Sequence, residues 1–210
     1  IWHSGKVLFM RVFIAVLILI FSLQSWTKAD DIRDFQIEGM SIGDNLLEYF
    51  SNDEINLFSK SFGPLHDGIE ISSDDKSRAD YYPLKKYDGL QISYKKNNNT
   101  FFEITSMSGS IWYRNDIKTC LKKKDEIKPD IEKFLGSSII EKVDETKKRK
   151  HWADKSGKSF TYDTTYYLKN DDQIRLDCFD WSKEMGYWDH LRITVITSEH
   201  AKLVRNEYGN

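Results

Sequence analysis

The chain is short of the residues and runs that most readily announce a function. It has three prolines, five alanines and two cysteines in 210 residues. No apolar stretch reaches the about 20 residues a spanning helix needs; the longest, Val12 to Leu23, has twelve. A lipid-modified cysteine after that run is excluded too, because Ser25, Trp26 and Thr27 occupy the region. There is no His-Glu-x-x-His motif and no Gly-x-Ser-x-Gly turn. Basic residues (31) do not outnumber acidic ones (33), which argues against nucleic acid as a partner. The one basic cluster, Lys147-Lys148-Arg149-Lys150-His151, lies between Asp144-Glu145 and Asp154 and reads as a solvated loop. The scarcity of Ala and Pro beside abundant Lys, Asn, Asp, Ile and Tyr is the bias of an AT-rich genome. With 40% apolar and 14% aromatic residues, disorder is excluded for most of the chain.

What is present begins with a leader. Met10 and Arg11 precede the apolar run, and Gln24-Ser25-Trp26 leads to Thr27-Lys28-Ala29, with small residues at −3 and −1 of a cut before Asp30. Residues 10–29 therefore read as a Sec-type signal peptide, residues 1–9 as an upstream or non-native extension, and residues 30–210 as one exported domain. The expected location is periplasmic or secreted, with no stable membrane anchor after cleavage. All 33 acidic residues lie in residues 30–210 while Lys6, Arg11 and Lys28 lie in the extension and leader before them, so the mature chain is more acidic than the formal −2 of the whole.

Cys120 and Cys178 both fall in the mature part, and an even count in an oxidising compartment suggests one disulfide. Cys120 shares a helical face with Ile117, Leu121, Ile127 and Ile131, whereas Cys178 alternates with Ile174 and Leu176 as in a strand. Both thiols then point at the core, and a bridge would tie helix to sheet. Two buried free thiols are the alternative.

Ser41-Ile42-Gly43-Asp44 and Ser51-Asn52-Asp53-Glu54 each read as a capping box, the first opening a helix with Ile42, Leu46, Tyr49 and Phe50 on one face. Asp34 to Met40 is a candidate first strand. Residues 60–86 carry turn signals and read as loop, with Ile69 to Ser72 as a short strand inside it. Leu90, Ile92 and Tyr94 alternate, then Phe102 to Tyr113 resumes as a strand in which Gly109 suggests a bulge. Asn115 to Leu135 is the strongest helix, kinked or restarted by Pro129 and stopped by Gly136. Strands follow at Phe160–Leu168, Gln173–Trp181 and Leu191–Thr197. This order gives an α+β fold, an antiparallel sheet with helices packed on one face, and suggests two αβββ-like halves.

Gly157-Lys158-Ser159 ends like a phosphate loop, but Trp152 stands where that motif needs its first glycine, and a strand follows instead of a helix. The histidines His66, His151, His190 and His200 are too scattered for a metal site. No catalytic residue, metal or cofactor is indicated. The most unusual segment is the loop Asp180 to His190, where Asp180, Trp181, Glu184, Tyr187, Trp188, Asp189 and His190 combine aromatic faces with ionisable groups. Such a loop stacks on a sugar, anchors a partner protein, or folds back over the sheet edge.

The stretches IEGMSIGDNLLEYFSNDEI, SMSGSIWYRNDIKTCLKKKDEI and DKSGKS followed by DCFDWSKEMGYWDHLRI resemble a group of short exported proteins of marine alphaproteobacteria. The resemblance covers most of residues 37–198 and includes both cysteines. It implies an exported single domain and no particular activity. The expected function is a non-catalytic binding or accessory domain whose partner is a protein or an envelope component. The alternative is a small envelope hydrolase using carboxylate acid/base chemistry.

Overall fold

In the computed structural model, residues 31–63, 66–75, 82–98, 100–144 and 148–208 are described. The leader assigned to residues 10–29 and the extension 1–9 lie outside them. The described strands are β1 (Ser59–Gly63), β2 (His66–Ser72), β3 (Gly89–Asn98), β4 (Phe101–Trp112), β5 (Ile139–Asp144), β6 (Arg149–Lys150), β7 (Phe160–Leu168), β8 (Gln173–Asp180) and β9 (His190–Ile196). The helices are α1 (Asn52–Phe58), α2 (Ile117–Leu135) and α3 (Ser198–Tyr208). The strands form one antiparallel sheet in the order β1-β2-β3-β4-β9-β8-β7-β5, with β6 paired to β7 beside that path. The α+β class expected from the sequence is what the chain adopts. Two meanders, β1 to β4 and β5 to β9, run in from opposite edges and join at β4–β9.

Strand alternation gives this sheet two unlike faces. One carries Ile69, Ile71, Leu90, Ile92, Met107, Leu191, Ile193, Val195, Ile174, Leu176 and Tyr166, all buried in the main core. Against it lie the N-terminal segment, α1 and α2. Asp116 caps α2 by accepting from the Thr119 amide at 3.1 Å, and the helix runs through Pro129 as one element to Gly136. Its inner stripe holds Cys120, Ile131 and Leu135, and also Lys124, whose ammonium donates to the Tyr162 carbonyl at 2.6 Å. Cys120 is bridged to Cys178 of β8, so helix and sheet are covalently joined as the two local patterns require.

Several local readings change. The Ser51–Glu54 capping box is present and opens α1. Ser41–Asp44 makes half of one, the Ser41 amide donating to Asp44, yet no α-helix follows. There the chain is drawn onto β4 instead: the Gly43 amide donates to the Ile104 carbonyl and the Asn45 side chain accepts from Leu47 and Phe102, leaving a short 3₁₀ turn at Leu46–Glu48. Asp34 to Met40 contributes an isolated bridge between Ile37 and Met40, not a strand. The supposed loop at 60–86 contains the β1–β2 hairpin. Gly109 is in regular register between Leu90 and Ile193; its missing side chain makes room for the Tyr87 ring, 2.5 Å from where a Cβ would stand. The irregularity lies at Thr105, opposite the Ser93/Tyr94 step. Helix α3, unassigned from sequence, closes one end of the second face through His200, whose Nδ1 meets Thr105 Oγ1 at 3.0 Å.

The bridge closes a loop with a sequence separation of 58, for which the chain-entropy model gives about 4 kcal/mol. A Cys120→Ala/Cys178→Ala variant is expected to lose stability of that order in urea denaturation; a loss under about 1 kcal/mol would show that the bridge is incidental to the fold.

Candidate functional site

Among the described residues, no layer of helices covers the second face of the sheet. It forms the floor of an open cavity of about 940 Å³. Because the strands are in register, its side chains stand in rows that cross the sheet. One row runs Trp112, His190, Phe179, Thr161, Arg149. The next runs Ser110, Arg192, Asp177, Asp163, and the third Gln91, Ser108, Thr194, Arg175. The strands that place Ile174, Leu176 and Cys178, or Leu191, Ile193 and Val195, in the core thereby project Arg175, Asp177 and Arg192 into the cavity.

The charges there are unevenly matched. Arg149 pairs with Asp163, which also accepts from Thr161 Oγ1. Arg175 pairs with Asp177 at 3.2 Å. Among the described residues no carboxylate reaches Arg192: its guanidinium lies 4.8 Å from the Phe179 ring centre and offers Nη2 to His190 Nε2 at 3.4 Å. Arg192 Nε, Asp177 Oδ1 and Trp181 Nε1 are buried with no hydrogen-bond partner. A buried group left this way costs on the order of 1–3 kcal/mol, more if charged, and three at one cavity call for an explanation.

Electrostatics follow from this burial. Asp177 is 2% exposed, and desolvation pushes its carboxyl up to about 6; Asp163 reinforces the shift while Arg175, Lys124 and Arg192 oppose it. His190 is pulled down to about 3, by burial first and by Arg192 second. It is therefore neutral. Its Nδ1 lies 2.9 Å from the Trp188 carbonyl, which can only accept, so the proton sits on Nδ1 and Nε2 is left to accept from Arg192. Burial likewise lowers His151, whose Nδ1 accepts from the Ala153 amide.

The loop singled out from sequence forms one rim. Trp181, Tyr187, Trp188 and His190 line the cavity; Asp180, Glu184 and Asp189 do not. Phe179 stacks on His190 at 4.5 Å and parallels Trp181 at 5.9 Å, and Trp181 meets His151 at 4.4 Å and Tyr187 at 5.0 Å. Asp189 is a buried brace that accepts from the Trp181 amide at 2.9 Å and closes the loop's base. Glu184 pairs with Lys158 on the neighbouring loop. Tyr187 (58% exposed) and Trp188 (41%) are partly open to solvent, the Arg114 guanidinium lying 6.0 Å from the Trp188 ring centre, and Trp188 Nε1 donates to Asp74 at 3.0 Å, joining the two rims.

The Gly157-Lys158-Ser159 tripeptide sits in a turn whose organiser is Asp154. That carboxylate accepts from the Ser159 amide and hydroxyl, the Ser156 amide and the Ser182 hydroxyl, which ties loop 151–159 to loop 181–189. These bonds, led by Ser159, hold Asp154 well below the usual carboxylate range. Of the basic cluster, Lys148, Arg149 and Lys150 are exposed as a solvated segment should be. Arg149 and Lys150 nevertheless form β6, and with His151 they stand at the cavity's edge because β6 pairs with β7, the strand that carries Asp163.

Sequence reasoning missed Arg175, Asp177, Arg192, Asp163 and the serines of β4. The available signal was the alternation Arg-Leu-Asp-Cys-Phe and His-Leu-Arg-Ile-Thr, in which ionisable groups recur at every second position of strands that are otherwise apolar. Such positions are on a water-facing side or a site.

The folded chain holds the Asp177 proton more tightly than the unfolded chain, whose carboxyl has the ordinary value of 3.8, so this group weakens the fold as pH rises from about 4 to about 6. His190 acts oppositely, the fold losing stability as pH falls below 6.5. Asp177→Asn removes only the first effect. Thermal melts should show it matching the parent near pH 4 and exceeding it above pH 6 by on the order of 2 kcal/mol; equal destabilisation at every pH would mean Asp177 is a structural partner of Arg175.

No family model matches the chain, and no curated protein or solved structure matches it either.

Proposed function

We propose that this is an exported, non-catalytic binding domain that takes a small envelope solute into the cavity on the open face of its sheet. The observation that carries the reading is Arg192, a guanidinium on the cavity floor with a buried unpartnered Nε and, among the described residues, no carboxylate in ion-pair contact. Proteins keep such a group where a ligand completes it, because in isolation it is costly. A concave site favours a solute over a flat protein partner, and 940 Å³ lies at the upper end of the usual range for such pockets. Export is supported by the apolar leader and by the Cys120–Cys178 bridge, since disulfides persist mainly in oxidising compartments. No helix among the described residues is long and apolar enough to cross a membrane.

The hydrolase alternative has one observation in its favour: Asp163 and Asp177 face each other across β7–β8, with Asp177 raised to about 6. Against it, each carboxylate is already engaged by a guanidinium, which suits a fixed recognition lattice better than proton transfer.

The test is intrinsic tryptophan fluorescence during titration with a panel of small saccharides, peptides and carboxylic acids, using the full chain and a Thr194→Trp variant that fills the floor. At least one solute should change the emission of the parent with saturation and lose affinity at least tenfold in the variant. Saturation unaltered by Thr194→Trp, or no response to any solute, contradicts the reading; turnover of a bound solute abolished by Asp177→Asn would replace it with the hydrolase.

A further inference from the structure

The cavity has a chemistry that narrows its occupant, on the assumption that it is the binding site. We infer that the occupant is an acidic oligosaccharide whose sugar carboxylate docks on Arg192 and whose hydroxyl groups meet Asp177 and the serine floor.

Charge comes first. Of the three guanidiniums on the floor two are neutralised by their own aspartates, so the site lacks one negative charge at Arg192. A carboxylate supplies one. A phosphate would bring up to two charges toward Asp177, the strand neighbour of Arg192, and be repelled by it. Asp177 Oδ1 can only accept while ionised, so the same ligand must offer a donor beside its acid group, which a sugar hydroxyl next to a uronate carboxylate does.

The floor says the same. Ser93, Ser106, Ser108 and Ser110 rise from β3 and β4 beside Gln91 and Thr194, and Ser108 is bonded to Thr194 at 2.9 Å. Hydroxyl groups donate and accept with free rotation, which matches a ring bearing several hydroxyls. Aromatic faces stand at the rim in Tyr187 and Trp188, and such faces stack on the C–H side of a pyranose.

Size completes the case. The lining spans seven adjacent strands, from Lys60 on β1 to Asp163 on β7. At about 4.8 Å per strand that is on the order of 29 Å, longer than one sugar ring, so the floor has length for a chain of several sugars.

Calorimetric titration of the full chain with uronate trisaccharides (galacturonate, glucuronate and mannuronate), their methyl esters and the neutral galactose trimer tests this. At least one uronate should bind, its methyl ester should bind about tenfold or more weakly for want of a charge-assisted bond, and Arg192→Gln should erase that difference while leaving the circular dichroism spectrum unchanged. If ester or neutral trimer binds as tightly as the acid, the acidic-sugar inference is overturned while the binding-domain reading stands. If no saccharide binds but another solute passes the Thr194→Trp test, the inference is likewise overturned. If no solute of any class enters, both fall.

Discussion

The structure turns on a guanidinium that no carboxylate contacts among the described residues. Arg192 sits on the central strand pair of the sheet, one step from the apolar face, and its plane rests on Phe179. Moving a charge out of water is costly unless a partner restores the interaction. The nearest carboxylates, Asp177 and Glu70, favour its charge without making an ion-pair contact among the described residues, and Asp177 already pairs with Arg175. A fold selected only for stability would place an apolar residue here. That it does not separates this face of the sheet from the other.

Holding such a group in place requires a rigid floor. Arg192 is flanked in sequence by Leu191 and Ile193, both anchored in the core beneath α2, and its neighbour strand β8 is fastened to α2 by the disulfide. The apolar face thus fixes the positions of the polar one through strand alternation. The rim is secured separately, by Asp154 between two loops, by Asp189 at the base of loop 181–189, and by the Trp188–Asp74 bond across the mouth. Asp177 and His190 give opposite slopes of stability with pH because burial disfavours the charged form of each, an anion in one case and a cation in the other.

What could be read from the sequence was whatever a local pattern encodes. The stripe on α2, the strands around Leu90, Tyr162, Leu176 and Ile193, and the pairing of Cys120 with Cys178 all follow from periodicities of two or 3.6 residues. The aromatic loop was visible as composition, and four of its seven singled-out residues line the cavity. Hidden from such a reading was everything that depends on which strands become neighbours. Asp177 stands beside Asp163 and Arg192 only through register, and Arg149 reaches Asp163 only because β6 pairs with β7. The false helix at Ile42–Phe50 fails for the same reason: Gly43 and Asn45 find partners on β4, a strand about 60 residues away.

The claim that Arg192 serves a ligand and not the fold is tested most directly by the unfolding free energy of Arg192→Met, measured in urea near neutral pH without added ligand. Methionine keeps the stem that packs on Phe179 and deletes the uncompensated charge. The account predicts a protein as stable as the parent or more stable by on the order of 1–4 kcal/mol. A loss of about 3 kcal/mol or more, the usual result of breaking a buried ion pair, would contradict it by showing that Arg192 is a structural partner.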